Sequence, residues 1–131
     1  MRVILTPEDL KKGDLVPPGW YPAEIVDYKE EEAIKDKSTN CYFVMKVNDP
    51  EQFRGVSPRV MFNEKAMGYG KELWSTLELP KDASGNYELS TELFRKTIGF
   101  KMEVYIERGV SDKKNEFNNV KSYRPLGTGK K

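Results

Sequence analysis

The chain has 131 residues, 33% charged and 37% hydrophobic, which is enough for one globular domain with a hydrophobic core. It has no histidine and one cysteine, so histidine-based catalysis, the common zinc sites and an internal disulfide are excluded. No stretch has the apolar length of a membrane span, and the first residues lack the order of a signal peptide, so we expect a cytoplasmic location.

Residues 1–19 are predicted to form an N-terminal arm. Thr6, Pro7, Glu8 and Asp9 have the order of a helix start, with a capping hydroxyl, a proline at the first position and acids at the positive end of the helix dipole. The Pro-Pro-Gly sequence at residues 17–19 ends the arm. We therefore place the folded domain at residues 20–126 and a flexible tail at residues 127–131.

Three strands are predicted in the first half of the chain, at residues 20–33, 41–48 and 56–62. Each shows the alternation of a strand with one buried face. In the first, alternation assigns Tyr28 to the same face as Trp20 and opposite to Tyr21. In the second, it separates Tyr42 from Phe43, and in the third it separates Arg59 and Met61 from Val60 and Phe62.

In the second half of the chain, the spacing of apolar residues changes from the alternation of a strand to the spacing of a helix. Leu73, Trp74 and Leu77 have helical spacing, which predicts a helix over residues 70–79. Ser90 is placed to cap a second short helix that Gly99 ends. Residues 100–126 then predict a long β-hairpin, because two alternating runs flank a polar loop at residues 111–115. The apolar positions of that hairpin are Phe100, Met102, Val104, Ile106, Phe117, Val120 and Tyr123.

The predicted order is therefore three strands, a helical connection and two more strands. This is the order of the OB-fold, a small barrel that commonly binds single-stranded nucleic acid or oligosaccharide. We predict a mainly β fold with short helices: an OB-fold, that is, a five-stranded Greek-key barrel with a helical connection between strands 3 and 4.

Several segments carry a closer resemblance, which covers residues 18–126. They are PGWY and AEIV at residues 18–21 and 23–26, YFVMKV at 42–47, FRG and VMF at 53–55 and 60–62, and NVKSYRP at 119–125. Together they resemble a family of small phage and prophage proteins, formerly a domain of unknown function, whose members are OB-fold single-stranded DNA-binding proteins. The resemblance implies a non-enzymatic protein of phage DNA replication or recombination in the host cytoplasm. The partners that it implies are single-stranded DNA, other copies of the protein in a homo-oligomer, and phage replication or recombination proteins.

The end of the chain departs from single-strand-binding proteins that carry an acidic tail, because it reads PLGTGKK. We therefore expect either no tail-mediated partner or an acidic tail in sequence beyond these residues. Charge is unevenly distributed: residues 1–94 carry 12 basic and 17 acidic side chains, whereas residues 95–131 carry 10 and 4. Such asymmetry is compatible with an anionic partner at the hairpin end.

Candidate nucleic-acid-binding residues follow from the OB-fold geometry, in which the second and third strands and the loops beside them hold the ligand. Single strands are bound by cations that follow the phosphates and by flat side chains that stack on bases. The candidates from this geometry are Lys35, Lys37, Tyr42, Lys46, Arg54, Arg59, Lys113, Lys114 and Phe117, and Tyr105 of the hairpin is added as a ring that could stack on a base. Other interpretations stay open, since Tyr42 can pack beside Val44, loop lysines are often only solvated, and Tyr105 can pair across the hairpin.

The sequence also suggests two other classes of function. A protein-interaction module is open, because OB-like barrels also dock proteins and the acidic first 94 residues suit a basic partner. A metal-dependent nuclease is suggested by Glu30, Glu31 and Glu32, but adjacent residues of a strand point to opposite faces, so we interpret the run as a solvated strand end. Cys41 has no histidine to activate it and is expected to pack. We predict no catalytic residue, metal or cofactor, and the choice between DNA and RNA stays open.

Overall fold

A five-stranded antiparallel sheet forms the body of the protein in the computed structural model, which describes residues 1–128. The strand order across the sheet is β3-β2-β1-β4-β5, so β3 and β5 are its edges. The prediction of a mainly β fold with five strands is confirmed. The strands are β1 (Gly19–Glu32), β2 (Thr39–Val47), β3 (Arg59–Asn63), β4 (Lys101–Val110) and β5 (Glu116–Pro125).

Short helices connect the strands. Helix α1 (Pro7–Lys11) precedes β1, and a 3₁₀ turn (Glu51–Phe53) lies between β2 and β3. Between β3 and β4 run a 3₁₀ segment (Glu64–Gly70), α2 (Lys71–Thr76) and α3 (Thr91–Arg95), which together form the predicted helical connection. The caps are as predicted, because the Thr6 and Ser90 side chains accept hydrogen bonds from the first turns of α1 and α3. Within residues 1–128, no helix has the length and apolar character needed to cross a membrane.

An aromatic cluster fills the core between the sheet and the helical connection. Phe43 is fully buried at its centre, with ring centroids 5.0 Å from Tyr28, 5.9 Å from Trp74 and 5.1 Å from Phe94. Trp74 and Phe94 stack at 5.2 Å. The alternation of β2 therefore packs as predicted, with Phe43 inward and Tyr42 on the outer face.

The predicted face of Tyr28 is wrong. The pairing of β1 with β2 shifts between Ile25 and Asp27, where a β-bulge inserts one extra residue. An insertion of one residue reverses the alternation beyond it, so Tyr28 is buried although Val26, two residues earlier, is exposed.

Strand β3 and helix α2 are both shorter than predicted. Strand β3 begins at Arg59 rather than at residue 56, although the carbonyls of Val56 and Pro58 still accept hydrogen bonds from β2. The helix predicted at residues 70–79 is shorter as α2 and is preceded by 3₁₀ turns, where Gly68 and Gly70 disfavour a regular α-helix.

The N-terminal arm is fastened to the sheet by long-range hydrogen bonds. Asn118 of β5 donates to the Asp14 carbonyl at 2.7 Å and accepts from the Val16 N–H at 3.0 Å. The Ser57 N–H donates to the Lys12 carbonyl at 3.0 Å. Of the predicted tail, Thr128 closes a turn with the Pro125 carbonyl, and residues 129–131 lie outside the described part of the chain.

A side chain from helix α2 covers part of the β5 edge of the sheet. At β5, the Tyr123 N–H donates to the Glu72 carboxylate of α2 at 2.6 Å, so a side chain occupies part of that edge. Residues of β3 and β5 approach each other to within 8 Å between their Cα atoms. Residues of both strands line a groove on this side of the sheet.

Candidate nucleic-acid interface

A groove of about 460 Å³ lies between β3 and the beginning of β5. Four separate parts of the chain line it: the arm after α1, the outer face of β2, β3 with the residues before it, and the first residues of β5. Three of the ten predicted binding residues meet here. The lining side chains that matter for binding are Lys12, Tyr42, Arg59, Met61, Glu116 and Phe117.

Tyr42 and Arg59 form the wall of the groove on β2 and β3. In the antiparallel pairing Tyr42 lies opposite Met61 and Arg59 lies opposite Val44, which places all four side chains on the outer face. The Arg59 guanidinium carbon is 5.1 Å from the centroid of the Tyr42 ring, within the range of a cation–π contact. The guanidinium thus lies over the Tyr42 ring, where Arg59 is exposed and Tyr42 is half-buried.

Phe117 forms the opposite wall, on the hairpin. It pairs with Gly109 of β4, and a Cβ atom at Gly109 would lie 2.5 Å from the Phe117 ring. The absence of a side chain at position 109 therefore allows the ring to lie against the backbone of β4. Phe117 remains 43% exposed, so a large part of its surface faces the groove and solvent.

Lys12 and Met61 belong to the groove but were not among the predicted residues. Lys12 is exposed and forms no ion pair within residues 1–128. Lys12 lies at the groove because hydrogen bonds join the N-terminal arm to Ser57 and Asn118. The local sequence around Lys12 does not predict these bonds. Met61 could have been found, since its alternation with Phe62 predicts an outward side chain. Glu116 adds one negative charge to the same groove.

The four loop lysines lie outside the groove lining. Lys35 and Lys37 are exposed in the turn between β1 and β2, and Lys113 and Lys114 are exposed in the turn between β4 and β5. The second pair precedes Phe117 by three to four residues on the same hairpin. Their role in binding stays a prediction.

Three further predicted residues have partners within the protein. Lys46 forms an ion pair with Glu8 at 2.6 Å, in a depression that adjoins the groove and shares Lys12 with it. Arg54 donates to the Asn48 carbonyl at 3.3 Å. Tyr105 packs edge-on against Trp20, with ring centroids 5.5 Å apart. None of these three side chains is brought to the groove, and their role also stays a prediction.

The acidic run Glu30, Glu31 and Glu32 lies at the end of β1, outside the groove lining. The Glu30 carboxylate accepts hydrogen bonds from the Thr91 hydroxyl at 2.5 Å and the Tyr28 hydroxyl at 2.7 Å, and these bonds lower its pKa. Cys41 is buried, and burial raises the pKa of its thiol. Among residues 1–128, no three side chains of the metal-binding types Asp, Glu, Cys or His converge.

Asp36 organises the turn that carries Lys35 and Lys37. Its carboxylate accepts from the Ser38 hydroxyl at 2.5 Å, the Ser38 N–H at 3.0 Å and the Lys65 ammonium at 3.0 Å. These bonds hold the pKa of Asp36 well below its ordinary value of 3.8. The folded protein therefore favours the ionised carboxylate.

We predict that Asp36→Asn lowers the melting temperature at neutral pH and that this deficit shrinks in acid. A carboxyl group with a lowered pKa stabilises the folded state above its unfolded pKa, near 3.8, and loses that effect as pH falls through the folded value. Thermal unfolding of both proteins between about pH 7 and 3 tests this. Asp112→Asn, in the other hairpin turn, is the matched control, and a deficit for Asp36→Asn that is constant with pH would contradict the prediction.

Comparison of the chain with protein-family models and with curated proteins found no match.

Proposed function

We propose that this is an OB-fold single-stranded DNA-binding protein that coats or protects single strands during phage replication or recombination. The observation that carries the proposal is the groove, which gathers Tyr42, Arg59, Met61, Phe117 and Lys12 from separate parts of the chain. Aromatic rings beside unpaired cations on an outer sheet face are what sequence-tolerant binding of a single strand requires.

The strand order supports the OB-fold interpretation. An OB-fold is a partly open barrel whose ligand face is centred on strands 2 and 3 and flanked by the loops between strands 1 and 2 and between strands 4 and 5. The order β3-β2-β1-β4-β5, with the edges β3 and β5 approaching to within 8 Å, corresponds to such a barrel opened at one seam. The groove lies at that seam, on the proposed ligand face.

The proposed mechanism has two steps. Lys12 and Arg59 form no ion pair within residues 1–128, so their charges are available to capture phosphates. Bases then stack on Tyr42 and Phe117, each contributing about 1–3 kcal/mol. The exposed Met61, which lies opposite Tyr42 in the sheet, supplies an apolar floor for the sugar or base.

The first test is a titration of the protein with fluorescein-labelled oligo-dT of about 30 nucleotides, at roughly 50 and 200 mM salt. We expect affinity to fall steeply with salt, because each neutralised phosphate of a single strand contributes about −0.7 to the slope of log K against log salt. With two to four cations engaged, the slope should be about −1.5 to −3.

Three controls sharpen this titration. A matched duplex should bind more weakly, since its bases are stacked on each other and not open to Tyr42 or Phe117. An RNA oligonucleotide of the same length decides between DNA and RNA. Addition of Mg²⁺ should leave the oligonucleotide intact, as required for a non-enzymatic protein. Binding to neither nucleic acid at low salt would refute the proposed function.

A second candidate function is a protein-interaction module, which the N-terminal arm favours. Val3, Ile4 and Leu5 are exposed by 65%, 73% and 64%, so the first residues present a continuous apolar segment to solvent. Exposed apolar segments commonly mark contacts with another protein. If the titration shows no nucleic-acid binding, loss of a captured partner on replacing Ile4 and Leu5 with serine would support this candidate.

A further inference from the structure

Tyr69 is the most exposed aromatic side chain among residues 1–128, at 88%. It lies in the 3₁₀ segment Glu64–Gly70, between Gly68 and Gly70. Within the described residues its ring pairs with no other aromatic ring and no cation, and its hydroxyl forms no hydrogen bond. A large ring left uncovered in this way offers one free stacking surface.

The backbone that carries Tyr69 is held by the core. The Trp74 indole N–H donates to the Met67 carbonyl at 2.8 Å, two residues before Tyr69. On the other side, Gly70 is buried and packs so closely on the Trp74 ring that a Cβ there would clash with it. The tyrosine is therefore presented from a fixed support rather than from a loose loop, which reduces the entropy lost on binding.

Two lysines, Lys65 and Lys71, lie beside Tyr69. A depression of about 540 Å³ is lined by Tyr69, Lys65 and Lys71 and contains no acidic side chain. The two neighbouring glutamates are engaged elsewhere, because Glu64 accepts from the Thr39 N–H at 2.7 Å and Glu72 accepts from the Tyr123 N–H at 2.6 Å. Lys65 pairs with Asp36 at 3.0 Å, whereas Lys71 forms no ion pair within residues 1–128.

We infer that Tyr69 and Lys71 form a second subsite for single-stranded nucleic acid, in which one base stacks on Tyr69 and Lys71 contacts the phosphate beside it. The inference rests on the proposed function, which it extends. The 3₁₀ segment follows β3 directly, and Arg59 and Met61 of β3 line the groove. In this inference the nucleic-acid strand runs along β3 from the groove to Tyr69, so the site is longer than the groove alone.

The test compares Tyr69→Ala with the wild-type protein on oligo-dT of two lengths, about 5 and about 15 nucleotides. The short strand fills the groove, whereas the long strand reaches both subsites. We expect Tyr69→Ala to weaken binding of the long strand about tenfold and to leave the short strand unchanged. Tyr69→Phe, which keeps the ring, should bind both lengths as the wild type does, and Lys71→Ala should reduce the salt slope for the long strand only.

The outcomes separate this inference from the proposed function. If the wild type binds neither oligonucleotide, the proposed function fails. If the wild type binds both and Tyr69→Ala matches it on the long strand, the second subsite alone is refuted. An equal loss on both lengths also refutes it, since Tyr69 would then act on the groove itself. As a direct readout, photo-crosslinking of a 5-iododeoxyuridine-substituted long strand should label Tyr69, and its absence from the crosslinked peptides would count against the subsite.

Discussion

Replacing both Tyr42 and Phe117 with alanine should lower the affinity for single-stranded DNA about 30-fold or more. Each ring is proposed to stack one base at about 1–3 kcal/mol, so the double variant loses about 2 kcal/mol at the least. The two rings form opposite walls of one groove, and their loss leaves the cations Lys12 and Arg59 in place. Affinity should therefore fall while the slope of its salt dependence stays close to that of the wild type.

A titration by fluorescence anisotropy measures this, with thermal unfolding as a check on folding. Tyr87→Ala is the matched control: its ring also has a cation over it, Lys81 at 5.0 Å, but it does not line the groove. We expect Tyr87→Ala to bind as the wild type does. Wild-type affinity in the Tyr42→Ala, Phe117→Ala double variant would show that the groove is not the binding site.

Phe43→Ala should destabilise the fold by about 3–5 kcal/mol, the range found when a buried phenylalanine is truncated. Phe43 is fully buried and contacts Tyr28, Trp74 and Phe94, which come from β1, α2 and α3. A cavity at this point removes packing between the sheet and the whole helical connection. Because small domains have a total stability of about 5–15 kcal/mol, the variant should be partly unfolded at moderate temperature.

Urea denaturation followed by tryptophan fluorescence measures this change, since Trp74 stacks within the same cluster. Phe43→Leu, which removes less volume, should lose clearly less. Phe117→Ala removes a ring that is 43% exposed and should destabilise the fold clearly less than Phe43→Ala. A loss below about 1 kcal/mol for Phe43→Ala would mean that the cluster does not hold the fold together.

Local patterns in the sequence predicted the five strands and the positions of the short helices. Alternation placed the inward face of β2 correctly, and the capping residues Thr6 and Ser90 marked the starts of α1 and α3. The face of Tyr28 was wrong because a bulge adds one residue to β1 without changing the character of the surrounding sequence. Strand pairing alone reveals such an insertion.

The candidate site was predicted in part for a similar reason. Tyr42 and Arg59 follow from strand alternation, and Phe117 follows from its place in the hairpin. Lys12 does not, because a hydrogen bond to Ser57, far along the chain, brings the arm to the groove. Lys46 was predicted as a binding residue from its place on β2, and the same arm supplies Glu8 as its ion-pair partner. Contacts between distant segments decide which charges stay available.

The contact of Glu72 with β5 disfavours pairing between the sheets of different copies of the protein. An uncovered sheet edge is a template on which another chain can add a strand, and such pairing leads to aggregation. Glu72 occupies the Tyr123 N–H on the outer side of β5, so that donor is not open to a second chain. Under the proposed function many copies lie side by side on one strand, and the contact of Glu72 removes one of the donors through which their sheets could pair.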